Sequence, residues 1–157
     1  MLRLSTKGQY GMRAMFEIAR AYQSGGPVSI RKISESQDVS VAYLEQILNV
    51  LRKAGIIRSV KGPGGGYMLG RPPDEISIAD ILRELEGPVA ITSCLDPREG
   101  CMRVERCVTH LLWKALGENI ENFLDRMTLK DLLEGTRFDG SDLPGKKSLL
   151  QARGGAA

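Results

Sequence analysis

The sequence contains no uninterrupted run of about 18 apolar residues, so it lacks the segment that a membrane-spanning helix requires. Its first ten residues carry charge and glycine and do not form the apolar core of a secretory signal. From both absences we expect a cytoplasmic protein. Cysteine is also scarce: three residues in a chain of 157 cannot all pair, and a reducing compartment disfavours disulfides. We therefore expect the cysteines to have a role other than crosslinking.

The formal net charge of +3 is small, but it is unevenly distributed along the chain. Up to Arg71, eleven Lys or Arg residues stand against four acidic residues, which is a formal charge of +7. From Pro72 onward, eleven basic residues stand against fifteen acidic ones, which is a formal charge of −4. A basic first half is typical of proteins that bind phosphate backbones, although a solvated basic surface would have the same composition.

Apolar spacing in the first half predicts three helices. The first begins at Thr6 and ends at the glycine- and proline-containing segment 24–27. Ser29 is the N-cap candidate of a short second helix, and a tight connection over residues 38–40 leads to a longer third helix. Ser40 caps this third helix and Gly55 ends it. The expected buried faces are Met12, Met15, Phe16, Ala19 and Tyr22 in the first helix, and Leu44, Ile47, Leu48 and Leu51 in the third.

A β-hairpin and three further helices are expected after this segment. Residues 56–61 and 67–69 are rich in strand formers and flank the glycine-rich run 62–66, which indicates a hairpin. Ser77 with Asp80 predicts a capping box, and so does Thr128 with Asp131. Between them, a long helix is predicted from about Arg106 to Met127 with a coiled-coil-like seam. The seam residues are Trp113, Leu116, Ile120, Phe123 and Met127.

Two helices joined by a short turn and followed by a hairpin have the layout of a winged helix-turn-helix. The predicted fold class is therefore mostly α with a small β wing. The outer face of the Ser40 helix carries groups that can read base edges in a major groove, and two cations flank the hairpin tip. The candidate DNA-binding residues are Ser40, Ala42, Tyr43, Glu45, Gln46, Arg52, Arg58, Lys61, Gly64 and Gly65.

The same layout also has interpretations that involve no DNA binding. A helix-turn-helix can serve packing alone, and a glycine-rich run can be a flexible turn. The run also lacks the Lys-Ser/Thr ending of a phosphate-binding loop, so nucleotide binding is not expected.

Three cysteines and the single histidine form one further pattern, C-x6-C-x5-C-x2-H, at Cys94, Cys101, Cys107 and His110. Three thiolates and an imidazole can hold either zinc or a 2Fe–2S cluster. The short cysteine knuckles common in zinc sites are missing, which weakly favours the larger cluster. Three partly buried cysteines and a surface histidine remain an alternative. A cysteine hydrolase is not expected, because no group is evident that would orient His110 beside Cys107.

Several local motifs lie between residues 2 and 134: LRLSTKG at 2–8, YLEQ at 43–46, LRK at 51–53, VKGPGGGY at 60–67, and the three cysteines with Thr109-His110. Together they resemble the IscR-like winged-helix iron–sulfur transcription regulators. The resemblance implies a non-enzymatic homodimer that pairs through the helix at about 108–127 and binds double-stranded DNA. It also implies a 2Fe–2S cluster on Cys94, Cys101, Cys107 and His110, and control of iron–sulfur assembly or redox-related genes.

With this resemblance, the domain organisation is expected to have four parts. Residues 1–86 would form the winged helix-turn-helix, 87–107 the cluster-binding loop, 108–135 the dimerisation helix with a short capping helix, and 136–157 a mobile tail. By match of position, Glu45 lies where members of the family read bases. Nitric-oxide-sensing relatives use an acidic ligand near the N-terminus, and residues 7–10 contain no carboxylate, which favours His110 as the fourth ligand.

The sequence departs from the family pattern at two places. Lys61 lies where an arginine often enters the minor groove, and lysine keeps the charge but lacks the planar fork. Six residues separate Cys94 from Cys101, where five are common.

A cluster in this loop is expected to set the spacing of two reading heads on palindromic half-sites. One alternative is a regulator of the same fold with zinc or no metal that responds to a small molecule or a protein partner. Another is an electron-transfer protein, which would leave the helix-turn-helix without a role.

Overall fold

The computed structural model describes residues 4–96, 99 and 107–135, and the predicted tail 136–157 lies outside them. Its helices and strands, in chain order, are α1 (Thr6–Gln23), α2 (Ile30–Gln37), α3 (Val41–Lys53), β1 (Ile57–Val60), β2 (Gly66–Leu69), α4 (Ile78–Glu86), α5 (Val108–Arg126) and α6 (Leu129–Glu134). Short 3-10 turns cover Pro73–Glu75 and Ser93–Leu95. The predicted class, mostly helical with a small β wing, is confirmed.

Serine side chains start the first three helices. Ser5, Ser29 and Ser40 each accept a hydrogen bond from the backbone N–H three residues further on, as N-cap residues do. Ser77 and Thr128 form complete capping boxes with Asp80 and Asp131. The caps predicted at positions 29, 40, 77 and 128 are therefore confirmed.

The hairpin is a two-stranded antiparallel sheet in which Ile57 pairs with Leu69 and Val60 with Gly66. Backbone hydrogen bonds of 2.9 and 3.0 Å join Tyr67 of β2 to Val28, the residue just before the cap of α2. A side chain at Gly66 would collide with the Val28 carbonyl, so glycine permits this close approach. The wing is thereby attached to the start of the helix-turn-helix.

One hydrophobic core joins the first four helices, the hairpin and α6, and its fully buried members include Met15, Ile33, Leu48, Ile81 and Leu129. All four residues predicted for the buried face of α3 are fully buried. We use the term reading head for residues 4–86, which supply most of this core.

The core face of α1 differs from the expected one. Gly11, Ala14 and Ile18 are buried together with Met15 and Ala19, whereas Met12, Phe16 and Tyr22 are only half-buried. The reason is that α1 packs against several neighbouring elements at once, and small residues permit close approach. Leu85 of α4, for example, occupies the space that a side chain at Gly11 would need.

The chain returns to the reading head after α5. The backbones of Ser77 and Thr128 form an isolated antiparallel bridge, and Met127 and Leu129 are buried in the core. Met127 therefore does not extend the predicted seam of α5, because its side chain is turned inward where the helix ends. Among the described residues, no helix is long and apolar enough to cross a membrane.

Candidate DNA-binding surface and cluster site

The outer face of α3 is accessible to a large partner. Ser40, Ala42, Glu45, Gln46 and Arg52 are exposed, opposite the buried leucine and isoleucine side chains. The Arg52 guanidinium donates to the Asn49 side-chain oxygen at 2.9 Å, which aligns two polar groups along this face. The structure thus exposes carboxylate, amide and guanidinium groups on the face of α3 for which the sequence predicts contacts with base edges.

Tyr43 has a second role that the sequence did not indicate. It is half-buried, and its ring packs edge-on against Tyr10 of α1 with 6.1 Å between the ring centroids. The Arg13 guanidinium lies 5.4 Å from the centre of the Tyr10 ring. Tyr43 therefore holds α3 against α1, and Arg13 adds an exposed cation beside the start of α3.

The wing tip consists largely of backbone. Arg58 and Lys61 are exposed at its flanks. Gly64 has a positive φ of 74°, and a side chain at Gly65 would overlap the Val60 carbonyl. Because glycine is the residue that tolerates both conditions, the tip is narrow and nearly free of side chains. The Gly65 N–H closes it by donating to the Gly62 carbonyl at 3.0 Å.

Two of the four predicted ligands lie in contact. The Cys94 Sγ is 3.4 Å from the His110 Nδ1, although 16 positions separate them in the chain. Metal–sulfur and metal–nitrogen bonds in a tetrahedral site place the two ligand atoms about 3.5 Å apart, so this separation fits a shared metal ion. Both side chains are half-buried, which leaves them partly shielded and still reachable.

Packing of the loop on α5 produces this contact. Gly117 is buried. A β-carbon at this position would have atoms of Val89, Ile91 and Leu95 as its nearest neighbours, each at 3.8 Å. His110 lies about two turns before Gly117 on the same side of the helix. The loop that carries Cys94 therefore lies over the helix face that carries His110.

Cys107 is the N-cap residue of α5 and is half-buried. The first turn of α5 contains no acidic residue, so the positive end of the helix dipole is left to favour negative charge, such as that of a ligating thiolate. Cys101 lies outside the described residues. Within the described part of the chain, no three potential ligands form a group that could hold a metal ion.

Threonine hydroxyls accompany both described cysteines. The Thr92 Oγ1 is 3.0 Å from the Cys94 Sγ, and the Thr109 Oγ1 is 3.1 Å from the Cys107 Sγ. The sequence analysis did not single out Thr92, since a lone threonine near a cysteine is not a recognisable motif.

An arginine joins the reading head to α5. The Arg83 guanidinium of α4 donates to Glu121 at 2.9 and 3.1 Å and to Asp125 at 2.8 Å. These hydrogen bonds, that to Asp125 first and that to Glu121 second, raise the pKa of Arg83. Arg83, Glu86 and Asp96 line a cleft of about 380 Å³ between α4, α5 and the start of the loop.

The face of α5 that lies opposite His110 and Gly117 is apolar and exposed. Val108 is 81% exposed and Leu111 66%, and both have large aliphatic side chains. We call this surface the α5 apolar face; its members are Val108, Leu111, Leu112, Leu116 and Phe123. Leu116 and Phe123 belong to the predicted seam, whereas Trp113 and Ile120 of that seam are half-buried.

Residues 4–135 match the model of the Rrf2 family, which is described as iron-dependent transcriptional regulators. The chain belongs to the Rrf2 family. Among Rrf2-related curated proteins, the HTH-type transcriptional regulator IscR of Erwinia tasmaniensis is 43% identical over 132 residues, which is 84% of this chain and 79% of the relative. The named relatives are regulators, so this Rrf2 member is a transcriptional regulator and not an enzyme.

Solved structures agree with the Rrf2 assignment. T. potens IscR is 42% identical with a TM-score of 0.70 and covers 85% of this chain and 88% of its own. CymR, the global cysteine regulator of B. subtilis, is 38% identical with a TM-score of 0.72 and covers 87% of this chain and 99% of its own. The resemblance to IscR-like regulators drawn from the motifs is thereby confirmed.

Proposed function

We propose that this Rrf2 regulator senses iron–sulfur or redox status through a 2Fe–2S cluster and controls iron–sulfur assembly or redox-related genes. Cys94, Cys101, Cys107 and His110 would hold the cluster. The observation that carries the proposal is the 3.4 Å approach of the Cys94 sulfur to the His110 nitrogen across 16 positions. Thiolate and imidazole are the ligands that a 2Fe–2S cluster takes, and the cluster supplies a one-electron redox couple when bound.

DNA binding is proposed to use α3 and the wing. Glu45 and Gln46 lie exposed on α3, where they can reach base edges, and Arg58 and Lys61 lie beside the side-chain-free tip. Ser40, Ala42, Tyr43, Arg52, Gly64 and Gly65 complete the proposed surface. The basic charge of the first half supports the same partner, double-stranded DNA.

A homodimer through α5 is part of the proposal. The α5 apolar face places five exposed large apolar side chains on one helix, and contiguous exposed apolar surface is typical of interfaces. A second copy of the same helix offers the matching surface, as symmetric dimers do. Two reading heads would then bind the two halves of a palindromic operator.

Loading of the cluster is expected to affect DNA binding through the loop that packs on α5. Residues 89–95 contact the helix at Gly117, and Arg83 joins the same helix to the reading head. A change in the loop can therefore be transmitted through α5 and Arg83 to the reading head, which contains α3. Couplings of this kind typically amount to about 1–3 kcal/mol.

The similarity to CymR favours one alternative. That regulator is named for cysteine, and it shares the fold at 38% identity. By this alternative, the chain is a regulator of the same fold with zinc or no metal that responds to a small molecule or a protein partner.

Anaerobic purification or reconstitution with iron and sulfide separates the two functions. We expect visible absorption with iron and sulfide in near-equal amounts, and we expect Cys101→Ala to remove them while the protein stays a folded dimer. A colourless wild-type protein that takes up neither iron nor sulfide would contradict cluster sensing.

DNA binding is tested with the same preparations by gel shift at several salt concentrations. Glu45→Ala is expected to change base preference, because a base contact distinguishes sequences by about 1–3 kcal/mol. Lys61→Ala is the matched comparison: it should weaken binding to all sequences and lower the salt slope by about one unit. Equal effects of Glu45→Ala on all sequences would argue against base reading by Glu45.

A further inference from the structure

Each described cysteine has a threonine hydroxyl within hydrogen-bond distance of its sulfur. Thr92 precedes Cys94 by two positions, and Thr109 follows Cys107 by two positions. The two pairs lie on different elements, one in the loop and one in the first turn of α5. The same chemical arrangement thus occurs twice, at two separate places in the chain.

The hydroxyl of Thr92 is not used for capping. Thr92 is the N-cap residue of the 3-10 turn Ser93–Leu95, where a threonine would normally accept a backbone N–H, and no such side-chain hydrogen bond forms. Its oxygen instead lies 3.0 Å from the Cys94 sulfur. A purely local role in starting the turn therefore does not explain its placement.

Protonation decides the direction of these hydrogen bonds. While the cysteine is a thiol, either the sulfur or the hydroxyl can donate. A metal-ligating cysteine is a thiolate and has no proton, so the threonine must then donate. Binding of a cluster would convert both contacts into O–H···S hydrogen bonds with the hydroxyl as donor.

We propose that Thr92 and Thr109 are positioning residues that donate hydrogen bonds to the ligating sulfurs of Cys94 and Cys107 and raise the reduction potential of the cluster. The inference rests on the proposed cluster. Reduction adds one electron and makes the sulfurs more negative, so a hydroxyl donor stabilises the reduced form more than the oxidised form. The same hydrogen bonds hold each sulfur in place and slow loss of the cluster.

The test compares Thr92→Val, Thr109→Val and the double variant with wild type, all as the full chain reconstituted anaerobically. Valine keeps the shape of threonine and removes the hydroxyl. The midpoint potential is measured by mediated redox titration followed by visible absorption, and cluster loss is measured as bleaching by an iron chelator. We expect each valine variant to have a lower potential and a bleaching rate raised several-fold, with the largest changes in the double variant.

Three controls separate hydrogen bonding from packing. Thr92→Ser and Thr109→Ser keep the hydroxyl and are expected to retain the wild-type potential. Ser93→Ala removes an exposed hydroxyl between Thr92 and Cys94 and should also leave the potential unchanged.

Valine variants with the wild-type potential and bleaching rate would overturn the inference. If a valine variant does not take up the cluster, the midpoint potential is measured in Thr92→Ala and Thr109→Ala instead. A wild-type potential in those alanine variants would also overturn the inference. Failure of the proposed function looks different, because wild-type protein would then contain neither iron nor sulfide.

Discussion

In α3, four apolar side chains are fully buried within a single chain, whereas the longer α5 has only Gly117 buried. The contrast extends to the surroundings of each helix. The core of the reading head surrounds Met15, Ile47 and Leu48, and the returning chain adds Met127 and Leu129 to it. The α5 apolar face is exposed, and Cys94 and His110 contact each other on another side of the helix, where both are half-buried. The buried side chains of α3 are therefore packed within one chain, whereas α5 leaves exposed the surfaces on which the proposed second chain and the proposed cluster would bind.

The largest expected effect is on the stability of the reading head. Leu48→Ala should lower the free energy of unfolding by about 2–5 kcal/mol, because it leaves a cavity in a fully buried site. Chemical denaturation followed by circular dichroism measures this loss.

Leu112→Ala is the matched change on α5. Leu112 is 58% exposed in the single chain, so its truncation should act on dimerisation, measured by analytical ultracentrifugation, and not on the fold of the monomer. If Leu112→Ala destabilised a monomeric chain as much as Leu48→Ala does, the contrast between the two regions would be wrong.

An intermediate effect is expected where the loop packs on α5. Gly117→Leu should lower the free energy of unfolding by about 1–3 kcal/mol, because the added atoms would meet Ile91 and Leu95. It should also reduce cluster uptake, which iron analysis after reconstitution measures.

Gly117→Ala is the control for this site. A β-carbon there would lie 3.8 Å from its nearest neighbours, which is ordinary van der Waals contact. Alanine also favours the helix by up to about 1 kcal/mol over glycine. A loss of cluster uptake in Gly117→Ala would mean that loop packing is not the cause.

The smallest expected effect is at the ion pairs between α4 and α5. Arg83→Met should lower the free energy of unfolding by at most about 1 kcal/mol, because Arg83 and its two partners are each about 40% exposed and solvent screens them. Its effect on DNA affinity should differ between the cluster-loaded and cluster-free protein, which fluorescence anisotropy measures. Equal losses of affinity in the two forms would exclude Arg83 from the coupling.

Local features of the molecule were predictable because each depends on a few neighbouring residues. The caps at Ser29 and Ser40 and the boxes at Ser77 and Thr128 need only side chains three positions apart. The buried stripe of α3 follows from spacing alone. Sequence also proposed His110 as a partner of the cysteines, and the structure brings it to Cys94.

Features that join distant segments were missed. Glu17 is buried in α1 and accepts a hydrogen bond from Gln37 of α2, although its charge predicts a surface position. Arg83 and its two carboxylates lie 38 and 42 positions apart, and no spacing rule connects them. Their pairing depends on how α4 crosses α5.

The sequence by itself determined where helices start, which faces of α3 are apolar or polar, and which residue types could bind DNA or a metal. These properties depend on short-range hydrogen bonds and on helical periodicity. The tertiary structure alone decided that Met127 turns into the core and that Tyr43 packs on Tyr10. Such contacts arise from packing between elements, and the sequence order of residues does not encode which side chains meet there.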